Sequence, residues 1–127
     1  MNALGTTANV VVAVVALLHA YFLVLEMFLW TTPTGRRVFN LTPEFAEESK
    51  TLAANQGLYN GFLAAGLVWG LIAGATDWPG AFGVKVFFLA CVIVAGAFGA
   101  ATVSRRILFV QALPAAIGLG LLIAAQP

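Results

Sequence analysis

An all-α integral membrane fold, an antiparallel bundle of four transmembrane helices, is the architecture this sequence predicts, and three observations predict it. The 127 residues are 61% hydrophobic and 9% charged, with a mean hydropathy of +0.98, far outside the range of soluble globular domains. A bilayer core is crossed by roughly 20 mostly apolar residues, and four stretches of that kind lie at about 8–30, 52–75, 81–103 and 107–125. Only one sizeable polar segment, the connection over 31–51, lies between spans. The whole chain, 1–127, therefore reads as a single four-helix transmembrane domain.

The first span follows MNALGTTANV, which lacks the positive region of a cleavable signal, so it is expected to stay attached. The polar connection reads TTPTGRRVFNLTPEFAEESK. In it Thr42 is placed to cap a helix with Pro43 at the first position and Glu44 and Glu47 in the first turns, where the helix dipole favours acids. The second helix is thus expected to begin near Pro43 and to stand out of the membrane before entering it. ATDWPG makes the next turn and SRR the last, both so short that consecutive helices must be antiparallel neighbours.

Five of the six basic residues set the orientation. Arg36, Arg37 and Lys50 lie in the first connection and Arg105 and Arg106 in the third, so that side is expected to be cytoplasmic and both termini outside, in the cell (inner) membrane. Lys85, near the start of the third span, is read as a snorkelling side chain, and Trp30 and Trp78 as interfacial anchors. Gly57 and Gly61, then Gly66, Gly70 and Gly74, recur at helix-packing spacing, with Ala95 and Gly99 on the third span. Small residues of this kind let backbones approach closely in lipid, and a bundle this small has such faces to spare, so a homo-oligomer is expected. Cys91 reads as a small buried hydrophobe.

The chemistry concentrates in the first two spans. LLHAYFLVLEMFLW carries His19 and Glu26 on one helical face. A carboxylate at the bilayer centre costs about 2.5 to 3.5 kcal/mol on insertion scales, so Glu26 must face the protein interior. Its expected donors enter the membrane as AANQGLYNGF: Asn55 and Tyr59 form one ridge, Gln56 and Asn60 the adjacent one. At about 1.5 Å rise per residue, these share a depth with Glu26, as do Thr102 and Gln111, while His19 lies nearer mid-depth. Arg36 and Arg37, next to Gly35, could hold an anionic head group.

Two readings of this layer stay open: a hydrogen-bonded clasp that fixes helix register, and a cavity that binds a small molecule. A net charge of +1 and no basic patch exclude nucleic acid as a partner. One histidine and one cysteine give no metal-ligand cluster, and no phosphate or dinucleotide loop is present, so the sequence names no cofactor.

At LEMFLWTTPTGRRVF and LTPEFAEESKTLAANQGLYNGFLAAGLVWG the sequence closely resembles a family of small bacterial membrane proteins known as domain-of-unknown-function family 1304. The resemblance covers nearly the whole chain and implies a four-span integral membrane protein; it assigns no activity and no site residue. Size and span count also loosely resemble the membrane-associated eicosanoid and glutathione metabolism family, whose trimers bind glutathione. Of that family's arginine-rich motif, with asparagine and glutamate on the second helix, at best Lys50 and Asn55 are counterparts.

The functional expectation is a polar pocket in the cytoplasmic half that binds, and by acid–base chemistry could convert, a small lipophilic or amphipathic molecule. Glu26 and His19 would be its catalytic residues, and Asn55, Gln56, Tyr59, Asn60, Gln111, Arg36 and Arg37 its ligand-binding ones. The alternatives are a proton- or cation-coupled transporter or channel-like oligomer, and a structural partner of another membrane protein.

Overall fold

The computed structural model describes residues 1–127 and is entirely helical: α1 (Ala3–Met27), α2 (Pro33–Phe39), α3 (Pro43–Ala75), α4 (Ala81–Thr102) and α5 (Leu113–Ala124), the last preceded by a π-helical turn over Leu108–Ala112. Three of these helices, α1, α3 and α4, are long and apolar enough to cross a membrane. The segment from Leu108 to Ala124 is shorter. It is also not one regular helix. Pro114 has no N–H to give to the carbonyl one turn back, and just before it the chain widens, the Leu113 N–H reaching the Leu108 carbonyl.

The chain forms two compact units, Leu17–Ala64 and the combination of Met1–Ala16 with Ala65–Pro127. In the first, the polar connection is more structured than a loop. Thr32, in extended conformation, caps α2 by accepting from the Gly35 N–H at 3.3 Å, with Pro33 at the first helical position. Asn40 ends α2 in the left-handed conformation, φ 55°, and the Leu41 N–H returns to the Arg36 carbonyl at 2.8 Å, closing the helix C-terminus. Thr42 then caps α3, its hydroxyl accepting from the Phe45 N–H at 3.1 Å, so α3 starts at Pro43 as the sequence indicates. Gly35 is obligatory here: a Cβ would stand 2.0 Å from the Leu29 carbonyl oxygen. Trp30 fixes the same corner, its indole N–H donating to Ser49 at 3.0 Å and its ring lying 4.8 Å from that of Phe39.

Close helix approach in this unit depends on two glycines of α3. A Cβ on Gly57 would fall 2.7 Å from Met27 Cγ, and one on Gly61 2.6 Å from Leu23 Cδ1. In the second unit Gly66 meets the Phe88 ring, Gly70 and Gly74 meet Lys85, and Gly96 meets the Ala112 backbone. Leu67, Leu89, Val92 and Ala115 are fully buried there. The turn between α3 and α4 places Asp77 at φ 57° and returns the Trp78 N–H to the Ala73 carbonyl at 3.0 Å.

Candidate functional site

Glu26 lies in the last turn of α1 and is 8% exposed. The buried face of α3 opposite it runs Ala53, Gly57, Asn60, Ala64, Leu67, alternating steps of four and three that keep one side of a helix turned inward. Gly57 admits the Glu26 side chain, whose Cβ would be 3.0 Å from a Cβ at that position. One turn further on, Asn60, 6% exposed, donates from Nδ2 to Glu26 Oε1. The bond links two helices and satisfies one carboxyl oxygen with a neutral amide. Glu26 has no ion-pair partner; the single ion pair of the chain joins Lys50 to Glu47.

A cavity of about 340 Å³ adjoins the carboxyl. Its walls are Glu26, Met27, Phe28, Trp30 and Thr31 from the end of α1 and the turn after it, and Lys50, Thr51 and Ala54 from α3. The lining therefore combines the buried acid Glu26, the exposed Lys50, which pairs with Glu47, two threonines, and apolar or aromatic surface. That combination suits a ligand with an apolar body and one polar group.

Of the nine side chains singled out in the sequence, Glu26 and Asn60 are brought into contact. Asn55, Gln56 and Tyr59 are not placed on the Glu26 face. All three are exposed, Tyr59 by 53% with its ring 5.9 Å from Phe62. The inward ridge passes through Gly57 and Asn60, and on a 3.6-residue helix positions 55, 56 and 59 then turn away. His19 is fully buried on α1, edge-on to Phe22 at 5.4 Å, and makes at least one polar or ring contact. Arg36 is half-buried in α2 with its Nε unpaired, and Arg37 is exposed; neither lines the cavity. Both lie in the last turn of α2, where positive charge complements the dipole. Gln111 is half-buried in the π-helical turn and has a partner. The Thr102 hydroxyl donates to the Phe98 carbonyl of its own helix at 2.7 Å.

Two wall residues carry other readings in the sequence: Lys50 as a topology charge and at best a counterpart of the glutathione-binding family's motif, and Trp30 as an interfacial anchor. The signal for Lys50 was its position one turn before Ala54, on the same side of α3 as the inward ridge. No third His, Cys, Asp or Glu joins His19 and Glu26 in a metal-ligating group.

A family model described as "Protein of unknown function (DUF1304)" matches residues 13–123. The chain belongs to the DUF1304 family. A relative from Lactococcus lactis subsp. lactis (strain IL1403), the uncharacterized protein YpaA, is 31% identical over 99 residues, covering 76% of this chain and 80% of that protein. No solved structure matches. The DUF1304 match spans both Glu26 and Asn60, and so contains the whole of the site, but carries no activity with it.

Proposed function

We propose that this DUF1304 protein is a four-span, antiparallel helical protein of the cell membrane. In this reading its Glu26 cavity binds a small lipophilic or amphipathic molecule and supports acid–base conversion of it. The observation that carries the reading is a buried carboxyl with one amide donor and an open volume of about 340 Å³ beside it. A register clasp would need the hydrogen bond but not the cavity. The ligand's apolar part would lie against Met27, Phe28 and Trp30, and its polar group between Glu26 and Lys50. Glu26 is the group within reach to take up or return a proton; His19, two turns earlier on α1, would be the deeper titratable group.

Positive-inside loops support an arrangement with the cavity facing the cytoplasm and both termini outside. The exposed apolar side chains of α3, Phe62, Val68, Trp69 and Ile72, together with lipid, support a homo-oligomer as the working state.

Native mass spectrometry of gently extracted protein tests the reading. A co-purified small molecule should accompany the natural chain and be absent from Glu26→Gln, with unchanged thermal unfolding. Equal retention by both, or no retained molecule together with an unaltered phenotype of an Ala54→Trp variant that fills the cavity, would leave the clasp as the better account. A proton flux in liposomes that needs Glu26 but no retained molecule would move the assignment to the transporter class.

A further inference from the structure

The unit of Met1–Ala16 and Ala65–Pro127 buries a cation that has no counter-charge. Lys85, in the second turn of α4, is 7% exposed rather than extended to the surface. Its stem lies in a groove cleared by two glycines of α3: a Cβ on Gly70 would sit 2.7 Å from Lys85 Cγ, and one on Gly74 3.0 Å from Nζ. The ammonium donates to Asn9 Oδ1 on α1 at 2.9 Å. An ammonium has three donors, and this is its one recorded acceptor. No carboxylate pairs with it, because the chain's one ion pair is Lys50 with Glu47. A buried, uncompensated ammonium is costly in an apolar surrounding.

Beside Nζ lies a cavity of about 410 Å³, whose walls include Asn2, Asn9, Lys85, Leu122, Ala125 and Gln126. Met1 and Pro127 also line the wall, which offers the Lys85 ammonium, three carboxamides, apolar surface from Leu122 and Ala125, and no aspartate or glutamate. From this geometry we infer that Lys85 and the adjoining cavity form a binding site for a phosphate oxyanion. Bound there, an anionic oxygen takes the remaining Lys85 donors, the amides supply further N–H groups, and the charge of the ammonium is balanced. The volume exceeds that of one phosphate group and leaves room for a glycerol portion against Leu122 and Ala125. The same chemistry is offered by the head group of an anionic phospholipid and by free inorganic phosphate. This site shares no residue with the Glu26 cavity and stands independently of its reading.

The test has two arms, one for each source. In nanodiscs of equal parts phosphatidylcholine and phosphatidylglycerol, native mass spectrometry should find phosphatidylglycerol enriched on the natural chain. In neutral maltoside micelles, inorganic phosphate should raise the unfolding temperature saturably. Enrichment alone assigns the site to lipid, and the phosphate response alone to the free anion. Either effect should fall by about tenfold in Lys85→Met, a neutral side chain of similar length, and persist in Lys85→Arg. Ala125→Trp, which occupies the cavity and leaves Lys85 in place, should abolish both effects, and it decides the matter if Lys85→Met does not fold. Neither effect in the natural chain, or an effect undiminished in folded Lys85→Met or in Ala125→Trp, overturns the site.

Discussion

Glu26 in the unit Leu17–Ala64 and Lys85 in the other unit are buried ionisable side chains of opposite kind, one an acid and one a base, and each is met by one asparagine. Asn60 offers its amide N–H to the carboxyl; Asn9 offers its carbonyl oxygen to the ammonium. An asparagine can answer either sign because it carries both a donor and an acceptor. A neutral partner satisfies hydrogen bonding but brings no opposite charge, so the ionised form of either group keeps its charge uncancelled. A direct Glu–Lys pair would have cancelled it. The two asparagines differ in how buried they are. Asn60 is itself buried, whereas Asn9 is half-buried and stands in a cavity wall.

That difference is broken or sharpened most strongly by removing the asparagines. Asn60→Leu strands a buried carboxyl and should cost about 3 kcal/mol. Asn9→Leu should cost only about 1 kcal/mol, because water in the adjoining cavity can replace the lost acceptor. Unfolding in mixed micelles of increasing dodecyl sulfate measures both, and equal costs would erase the distinction between a buried partner and a half-buried one.

Next in size is the Glu26 side chain. Glu26→Ala leaves the Asn60 amide unpaired and should destabilise by about 2 kcal/mol, while Glu26→Gln retains a hydrogen-bonding group and should stay within about 1 kcal/mol of the natural protein. A ligand lost in Glu26→Gln at near-native stability separates the charge's functional role from its structural one.

The supporting glycines come third. Gly57→Ala pushes into Met27 and Glu26 and should cost about 1.5 kcal/mol, whereas Gly74→Ala meets only the far end of the long Lys85 side chain and should cost less than about 1 kcal/mol. The same unfolding assay compares them; a larger loss at Gly74 would show that the Lys85 groove is the tighter of the two. Smallest of all, Asn55→Ala and Gln56→Ala alter exposed positions and should fall within about 0.5 kcal/mol of the natural chain. Larger losses in either would mean that those amides have partners of their own.

Apolar helices, the Thr42–Pro43 start of α3 and an amide of that helix as donor to Glu26 were legible in the sequence, since they depend on composition, local capping and spacing along one helix. The azimuth of α3 was not. Its polar residues fall on two adjacent ridges, Asn55 with Tyr59 and Gln56 with Asn60, so periodicity gave no means of choosing Asn60 over Asn55, Gln56 or Tyr59. The glycines carried the missing information: the inward face follows Gly57 because that is where α1 comes closest. Helix α2 went unread although Thr32–Pro33 repeats the signature of Thr42–Pro43, because TGRR looked like a loop. Lys85 was read as snorkelling because its asparagine lies 76 residues away on another helix, a distance no local pattern spans. The break between Leu108 and Ala124, expected as part of one continuous helix, followed from Pro114, whose effect on the preceding turn outweighs the hydropathy of the segment.

The chain's three tryptophans are divided in a way that makes the protein its own optical instrument. Trp69 and Trp78 lie nearly parallel, ring centres 6.1 Å apart at 21°, close enough for their excited states to mix and split an absorption band into a dichroic couplet. Trp30 belongs to the wall of the Glu26 cavity, its indole N–H anchored on Ser49. A molecule entering that cavity should shift the emission of Trp30 and leave the couplet untouched, whereas loosening of the α3–α4 turn should do the reverse. Trp69→Phe removes the couplet and confirms which signal is which, so occupancy and integrity can be followed in one cuvette without a label.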